Sequence, residues 1–235
     1  MTWTHKDRFL AALNHEEADR VAIDFAGTMC TTITLPGYER LKEHLGLEHE
    51  TVVLSKTNRL AAPDYSLLER FGVDTRYLAF GIAGKDLDEH NVLDEWGITW
   101  HQTPDGHYMP ENGPFEGKPT DIADLESHEW FDTGALNYFD GLKERAEALR
   151  RESDRAIILS LGAGPVHMGQ WLRGFGDWLK DLRRAPEYAA RMAELITDQW
   201  VRVAEEALSI VGPNVDGVFL GDDLSSQAGP MFSPE

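Results

Sequence analysis

The stretch Ala156-Ile157-Ile158-Leu159-Ser160-Leu161, which runs into Gly162-Ala163-Gly164-Pro165, decides the fold class. An almost unbroken apolar run of this length indicates a strand buried on both faces, as in parallel sheets. Helical spacing follows over residues 166–182, with a break at Gly174 and Gly176, and a long amphipathic helix is predicted over 186–210. Strands that alternate with helices predict a mostly parallel α/β sheet.

The same alternation extends along the rest of the chain. Three further strands are predicted, at residues 21–27, 75–80 and 215–220. Other helices are predicted at residues 4–13, 36–45, 63–71 and 134–151. Residues 90–120 differ, because alternating apolar residues there surround the turn Pro104-Asp105-Gly106. This segment predicts a β-hairpin insertion.

The chain length and the last residues bear on whether the sheet is open or closed. A (β/α)8 barrel takes about 250 residues, and the chain has 235. Its last residues, Ser233-Pro234-Glu235, are typical of a helix start. We therefore predict one domain over residues 1–235, the N-terminal part of a (β/α)8 TIM barrel with the hairpin insertion around 90–120. The alternative is a complete open α/β sheet whose last helix is absent.

Composition limits the partners and the compartment. The chain has 22 Lys and Arg against 41 Asp and Glu, a formal net charge of −19. This charge argues against nucleic acid or an anionic membrane as a partner, since both attract basic patches. Cys30 is the only cysteine, so no internal disulfide can form. The sequence shows no signal peptide and no apolar run near 18 residues, which predicts a cytoplasmic protein.

Four segments carry a resemblance to a known family. They are residues 4–27, which open Thr-His-Lys-Asp-Arg-Phe-Leu, then Leu68-Glu69-Arg70-Phe71-Gly72-Val73-Asp74, Asp94-Glu95-Trp96-Gly97-Ile98, and Asp216-Gly217-Val218-Phe219-Leu220-Gly221-Asp222-Asp223-Leu224. In this order they resemble uroporphyrinogen-decarboxylase-like proteins, over essentially the whole chain. The resemblance implies a barrel with its active site at the carboxyl ends of the strands, a small-molecule substrate and a homodimer.

The family contains two chemistries, so the resemblance alone does not settle the function. One branch decarboxylates uroporphyrinogen without a cofactor, and follows its first strand with Arg-Gln-Ala-Gly-Arg. Arginines suit a substrate with many carboxylates, but the matching segment here, Asp24-Phe25-Ala26-Gly27-Thr28-Met29-Cys30, has none. That branch also carries an acid after its second strand, in a Phe-Ser-Asp context, whereas Arg76-Tyr77-Leu78-Ala79-Phe80-Gly81 contains no acid.

The other branch contains zinc-dependent methyltransferases that move a methyl group from a corrinoid protein to a thiol. Their zinc ligands are a His-x-Cys pair and a later Cys, and the matching region would lie after residue 235. The resemblance therefore implies methyl transfer with a corrinoid partner and zinc ligands beyond residue 235, and we assign no metal ligand within this chain. Uroporphyrinogen decarboxylation is one alternative, and a non-catalytic barrel fragment that binds a ligand or a partner is another.

The strongest local candidates are Asp222 and Asp223, which follow the predicted strand at 215–220. Adjacent acids at a strand end raise each other's pKa and can share a proton or bind substrate. We predict that both are catalytic. The alternative is a loop acid that caps the segment following it, beside a solvated neighbour. Gln227 follows at loop distance as a candidate substrate-binding residue, or as an exposed loop amide.

Three more candidates lie at other strand ends. Gly162 would let a substrate approach the backbone closely, although a tight turn explains the same glycines. His167 is a candidate acid/base residue, or a packed or exposed histidine. Asp24 lies between Ile23 and Phe25 on the opposite face of the predicted strand and is a candidate substrate-binding residue.

Overall fold

The computed structural model describes residues 2–81 and 84–233, so most of the predicted helix start at Ser233-Pro234-Glu235 lies outside the described residues. The chain divides into two compact units. The first comprises the chain up to Phe80 together with Phe139–Leu161 and Ala207–Phe219. The second comprises Gly81–Tyr138, Gly162–Glu206 and the chain from Leu220 onward.

Helices and strands alternate along the described chain. The helices are α1 His5–Leu13, α2 Leu35–Leu45, α3 Tyr65–Arg70, α4 Ile122–Glu126, α5 Leu142–Glu152, α6 Pro165–Arg173, α7 Phe175–Arg184 and α8 Pro186–Val211, followed by a short 3-10 helix at Gly212–Asn214. The strands are β1 Val52–Ser55, β2 Leu60–Ala62, β3 Thr75–Ala79, β4 Lys85–Asp86, β5 Asn91–Leu93, β6 Thr99–Gln102, β7 Tyr108–Glu111, β8 Ala156–Ala163, β9 Gly217–Gly221, β10 Ser225–Ser226 and β11 Gly229–Pro230. Within residues 2–81 and 84–233, no helix is long and apolar enough to cross a membrane.

A three-stranded sheet in the order β3-β8-β9 confirms the mixed α/β class with a parallel sheet. Strands β3 and β8 pair in parallel, from Thr75 opposite Ala156 to Ala79 opposite Ser160. Ile157 and Leu159 of β8 are fully buried, as the apolar run predicts. They pack in one apolar cluster with members of β3, α5 and the end of α8: Leu78, Leu142, Ala146, Ala207 and Val211.

The strand predicted at residues 21–27 is wrong, because this segment is not a strand. The backbone N–H of Asp74, the residue before β3, donates to the Ile23 carbonyl at 2.8 Å. The Asp74 carboxylate accepts the Ile23 N–H in return, at 2.7 Å, and Val21 is 84% exposed. A buried side chain therefore holds the segment where a strand ladder was expected. The described residues contain one sheet of three strands, in which β3 and β8 pair in parallel, and no closed barrel is formed among them.

The second unit contains a four-stranded antiparallel sheet in the order β4-β5-β6-β7, in the region where the sequence predicts a hairpin. Its strands pair in sequence, with Val92 opposite Trp100 and Trp100 opposite Pro110. Val92, Ile98 and Trp100 are buried on it. The short hairpin β10-β11 also belongs to this unit.

Local signals place most helix ends correctly. Thr4 forms a capping box with Asp7 at the start of α1, and Gly46, with φ 68°, ends α2. Gly174 separates α6 from α7, as the predicted break requires. Helix α5 instead begins at Leu142, later than predicted, because the Asp132 carboxylate accepts backbone N–H groups and holds the preceding residues in turns.

Candidate functional site

Asp222 lies at the start of α6, where its carboxylate caps the helix. It accepts the N–H groups of Val166 at 3.1 Å and of His167 at 2.7 Å. The residue at the N-cap position is Gly164, which has no side chain to do this. The backbone also joins the two segments here, since the Gly164 N–H donates to the Gly221 carbonyl. This is the capping role that was the alternative to catalysis, although the helix is α6 and not a following segment.

Asp223 is the solvated neighbour, with 64% of its side chain exposed. One carboxylate oxygen lies 4.0 Å from Nε2 of His167. The Nε2 of Gln170, a buried residue, lies 3.5 Å from the Asp223 carbonyl oxygen. The structure therefore brings Asp222, Asp223 and His167 together at one end of α6. Their predicted catalytic roles stay predictions.

His167 is half-buried against an indole ring. The ring centroids of His167 and Trp171 are 4.1 Å apart. Burial lowers the pKa of His167 below its usual value, and the negative charges of Asp223 and Asp222 oppose this only in part. The imidazole is consequently neutral near pH 7, the state in which it can accept a proton.

Gly162 lies against a tryptophan. Its φ is 144°, and a β-carbon there would lie 2.8 Å from the ring of Trp200. Close packing against Trp200 thus requires a glycine at this position, which favours the structural explanation of this glycine. Gln227 is exposed in the turn that joins β10 to β11. Substrate binding by either residue stays a prediction.

Asp24 belongs to the first unit. Its Oδ1 accepts the Gly27 N–H at 2.9 Å and the Thr75 hydroxyl at 2.6 Å. A β-carbon at Gly27 would lie 2.3 Å from the same oxygen, so the loop closes tightly on this carboxylate. The geometry shows Asp24 fastening the loop to the start of β3, and its predicted substrate contact is untested.

Sequence reasoning did not select Glu95 and Tyr138, which form a second polar pair in the second unit. The Tyr138 hydroxyl donates to Glu95 Oε1 at 2.8 Å. Burial raises the pKa of Glu95, and the adjacent charge of Asp94 adds to this. Burial, and then the charge of Glu95, also raise the pKa of Tyr138. In the sequence, only the position of Glu95 next to Trp96 could have indicated a buried acid.

A separate set of contacts runs from Asp94, the residue before Glu95, to His167 in the first turn of α6. Asp94 accepts the indole N–H of Trp100 at 2.7 Å. The rings of Trp100 and Trp171 are 4.9 Å apart, and Trp171 lies against His167. Burial also raises the pKa of Asp94. The second unit therefore holds Asp94 and His167 at the two ends of one set of contacts, through Trp100 and Trp171, while Glu95 and Tyr138 belong to a separate aromatic cluster.

The described residues do not fit a zinc ion. Among residues 2–81 and 84–233, no three His, Cys, Asp or Glu side chains are grouped so that they could hold a metal. The single cysteine, Cys30, is exposed, and zinc sites that activate thiols favour sulfur ligands.

Comparison with known proteins gives one informative result. Neither a protein-family model nor a curated protein sequence matches the chain. A methyltransferase from Methanosarcina mazei has a similar structure, with a TM-score of 0.57 and 16% sequence identity. The likeness covers 98% of this chain and 62% of that one, so the chain spans less than two thirds of that protein. At this identity the likeness shows the fold, and the narrower resemblance to uroporphyrinogen-decarboxylase-like proteins stays a prediction.

Proposed function

We propose that this protein takes part in methyl transfer from a corrinoid protein to a small thiol. The observation that carries the proposal is the structural likeness to a methyltransferase over 98% of the chain. The donor and the acceptor come from the resemblance at the four sequence segments. The start of α6 adds the imidazole of His167, whose pKa is lowered by burial, beside the exposed carboxylate of Asp223.

The chemistry that these residues would supply is proton removal. A thiol attacks as its thiolate, so the S–H proton must leave as the new bond forms. In the proposed step the His167 imidazole takes this proton. The sulfur bonds to the methyl carbon while the bond from that carbon to the donor breaks, and the bonding electrons leave with the donor. Asp223 would stabilise the imidazolium that results.

No specific observation favours the decarboxylase alternative. The segment at residues 24–30 has no arginine, and the Asp24 carboxylate is already bonded to Gly27 and Thr75. A substrate with many carboxylates would also meet a chain whose net charge is −19.

The test uses the purified chain with methylcobalamin and 2-mercaptoethanol, with and without added zinc. Absorbance follows the loss of the methyl group, and mass spectrometry follows the methyl thioether. We expect turnover that His167→Gln lowers by about 100-fold, as for loss of a general base. His15→Gln, at an exposed histidine outside the site, is the matched control.

Each other result has a defined meaning. Turnover that His167→Gln leaves unchanged would remove His167 from the mechanism. Absence of turnover under both zinc conditions would contradict the proposal for this chain and favour a ligand- or partner-binding role. Release of carbon dioxide from uroporphyrinogen by the same preparation would establish the alternative.

A further inference from the structure

Two adjacent carboxylates, Asp94 and Glu95, lie half-buried between β5 and β6 without a cation. Neither forms an ion pair with any Lys, Arg or His among the described residues. Their hydrogen-bond donors are neutral: Trp100, the backbone and Tyr138. Charged groups away from water are normally paired in folded proteins. The negative charge of these two acids could therefore be compensated by a bound cation or by a proton.

An aromatic cluster begins at the residue after Glu95 and includes Tyr138, whose hydroxyl donates to Glu95. The ring of Trp96, the residue after Glu95, lies 5.0 Å from Phe131, 5.2 Å from Trp200 and 6.0 Å from Trp130. Tyr138, which donates to Glu95, lies 5.2 Å from Phe131. The negative faces of such rings attract a cation that has little hydration, above all a methylated ammonium group.

One donor in the cluster has no partner. Trp200 is buried, with 6% of its surface exposed. Its indole N–H forms no hydrogen bond within the described part of the chain. A buried donor without a partner costs free energy, and an oxygen acceptor on a ligand would satisfy it. This observation is independent of the two acids.

We propose that Glu95, with the aromatic rings of Trp96, Phe131, Tyr138 and Trp200, binds a small quaternary ammonium compound that carries an oxygen acceptor. The carboxylate and the ring faces would hold the cation, and the Trp200 N–H would meet the oxygen. A metal ion fits less well, because the described residues offer no group of three ligands. The proposal goes beyond methyl transfer at His167 and does not depend on it.

The test compares choline with its neutral isostere, 3,3-dimethylbutan-1-ol, on the intact chain. Isothermal titration calorimetry and tryptophan fluorescence measure binding of each compound. We expect choline to bind at least about tenfold more tightly, the size of effect that a desolvated cation–π contact produces. This comparison needs no variant, so it stands even if a substitution in the cluster impairs folding.

Variants then locate the site. Glu95→Gln removes the charge with little change of shape and should weaken choline binding about tenfold or more, with the neutral alcohol unaffected. Glu111→Gln, at an exposed acid of β7, is the matched control and should bind as the parent does. Circular dichroism establishes that both variants fold.

Three results would overturn the proposal. Choline that binds no better than the alcohol would show that this cluster does not select a cation. Unchanged binding in Glu95→Gln would place the site elsewhere. Competition by calcium or zinc at equal concentration would indicate a metal site. Because no turnover is measured, these outcomes are distinct from failure of methyl transfer.

Discussion

The Asp222 carboxylate fills the space that a side chain on Gly164 would occupy. A β-carbon on Gly164 would lie 2.5 Å from Asp222 Oδ2. The φ of Gly164 is −71°, which any residue can adopt, so the close carboxylate is what requires a glycine here. The strand end at residues 221–223 and the start of α6 are therefore fastened by one carboxylate that caps the helix.

Gly164→Ala should displace Asp222 and remove the cap. We expect a loss of about 1 kcal/mol in the free energy of unfolding, the usual value of an N-cap. Asp222→Ala should cost a similar amount, whereas Asp222→Asn, which keeps an acceptor, should cost less. Urea denaturation measures all three. Gly176→Ala in α7 is the control, since no atom lies within 4 Å of the added carbon and stability should stay the same or rise.

The protonation of His167 gives a second prediction. Burial lowers the pKa of His167, so its ring should titrate at a lower pH than an ordinary histidine in an NMR titration. Asp223→Asn removes a negative charge that stabilises the imidazolium and should lower this pKa further. Asp105→Asn, whose charge is not among the influences on His167, should leave it unchanged. A rise in Asp223→Asn would mean that the carboxylate does not act on the ring.

Asp74 in the first unit should make the protein less stable at low pH. Burial raises the pKa of Asp74, but bonds from Arg20, the Ile23 N–H and His5 outweigh it and leave this pKa below its usual value. The folded pKa is therefore lower than the unfolded one. The stabilisation is complete above about pH 4 and is lost as the pH falls through the folded pKa.

Asp74→Asn tests this directly. Removing one partner of a buried ionic network should cost about 3 kcal/mol at pH 7. The difference in stability between parent and variant should shrink as the pH falls below about 4. Asp140→Asn, at an exposed acid, should follow the parent profile. A difference that stays constant with pH would show that the loss is one of packing and not of charge.

The buried arginine of α6 gives a fourth prediction, for the second unit. Arg173 is 4% exposed, donates to Asp181 at 2.6 Å and to the carbonyls of Phe115 and Lys118, and lies over the Tyr188 ring. Arg173→Ala leaves Asp181 and two carbonyls without a donor. We expect a loss of about 3–5 kcal/mol, measured by urea denaturation.

A matched substitution separates this effect from the general loss of an arginine. Arg183→Ala, at an exposed position near the end of α7, should change stability by less than about 0.5 kcal/mol. Equal losses in the two variants would contradict the structural role of the Arg173 contacts.

Several elements could be predicted because their signals are local. The capping box at Thr4, the left-handed Gly46, the break at Gly174 and the apolar run of β8 each depend on a few neighbouring residues. The strand predicted at residues 21–27 was wrong because its prediction also depended on neighbouring residues alone. Its apolar residues suit a strand, but a distant carboxylate, Asp74, holds one of its amides and replaces the ladder.

The sequence selected Asp222, Asp223 and His167 as separate candidates, and their roles stay predictions. Their proximity was not predicted, because the helix that Asp222 caps begins more than 50 residues earlier in the chain. Glu95 and Tyr138, which are 43 residues apart, had no shared signal in the sequence. Spacing along a chain does not report which distant donors an acid will meet.

The α/β class, the parallel strand β8 and the positions of most helix ends follow from local sequence, because turns, caps and burial periodicity involve residues close together in the chain. Tertiary contacts set the capping of α6 by Asp222, the lowered pKa of His167 and the half-burial of Glu95, which has no ion pair among the described residues. Those properties depend on solvent exposure and on partners supplied from distant segments, which folding alone brings within reach.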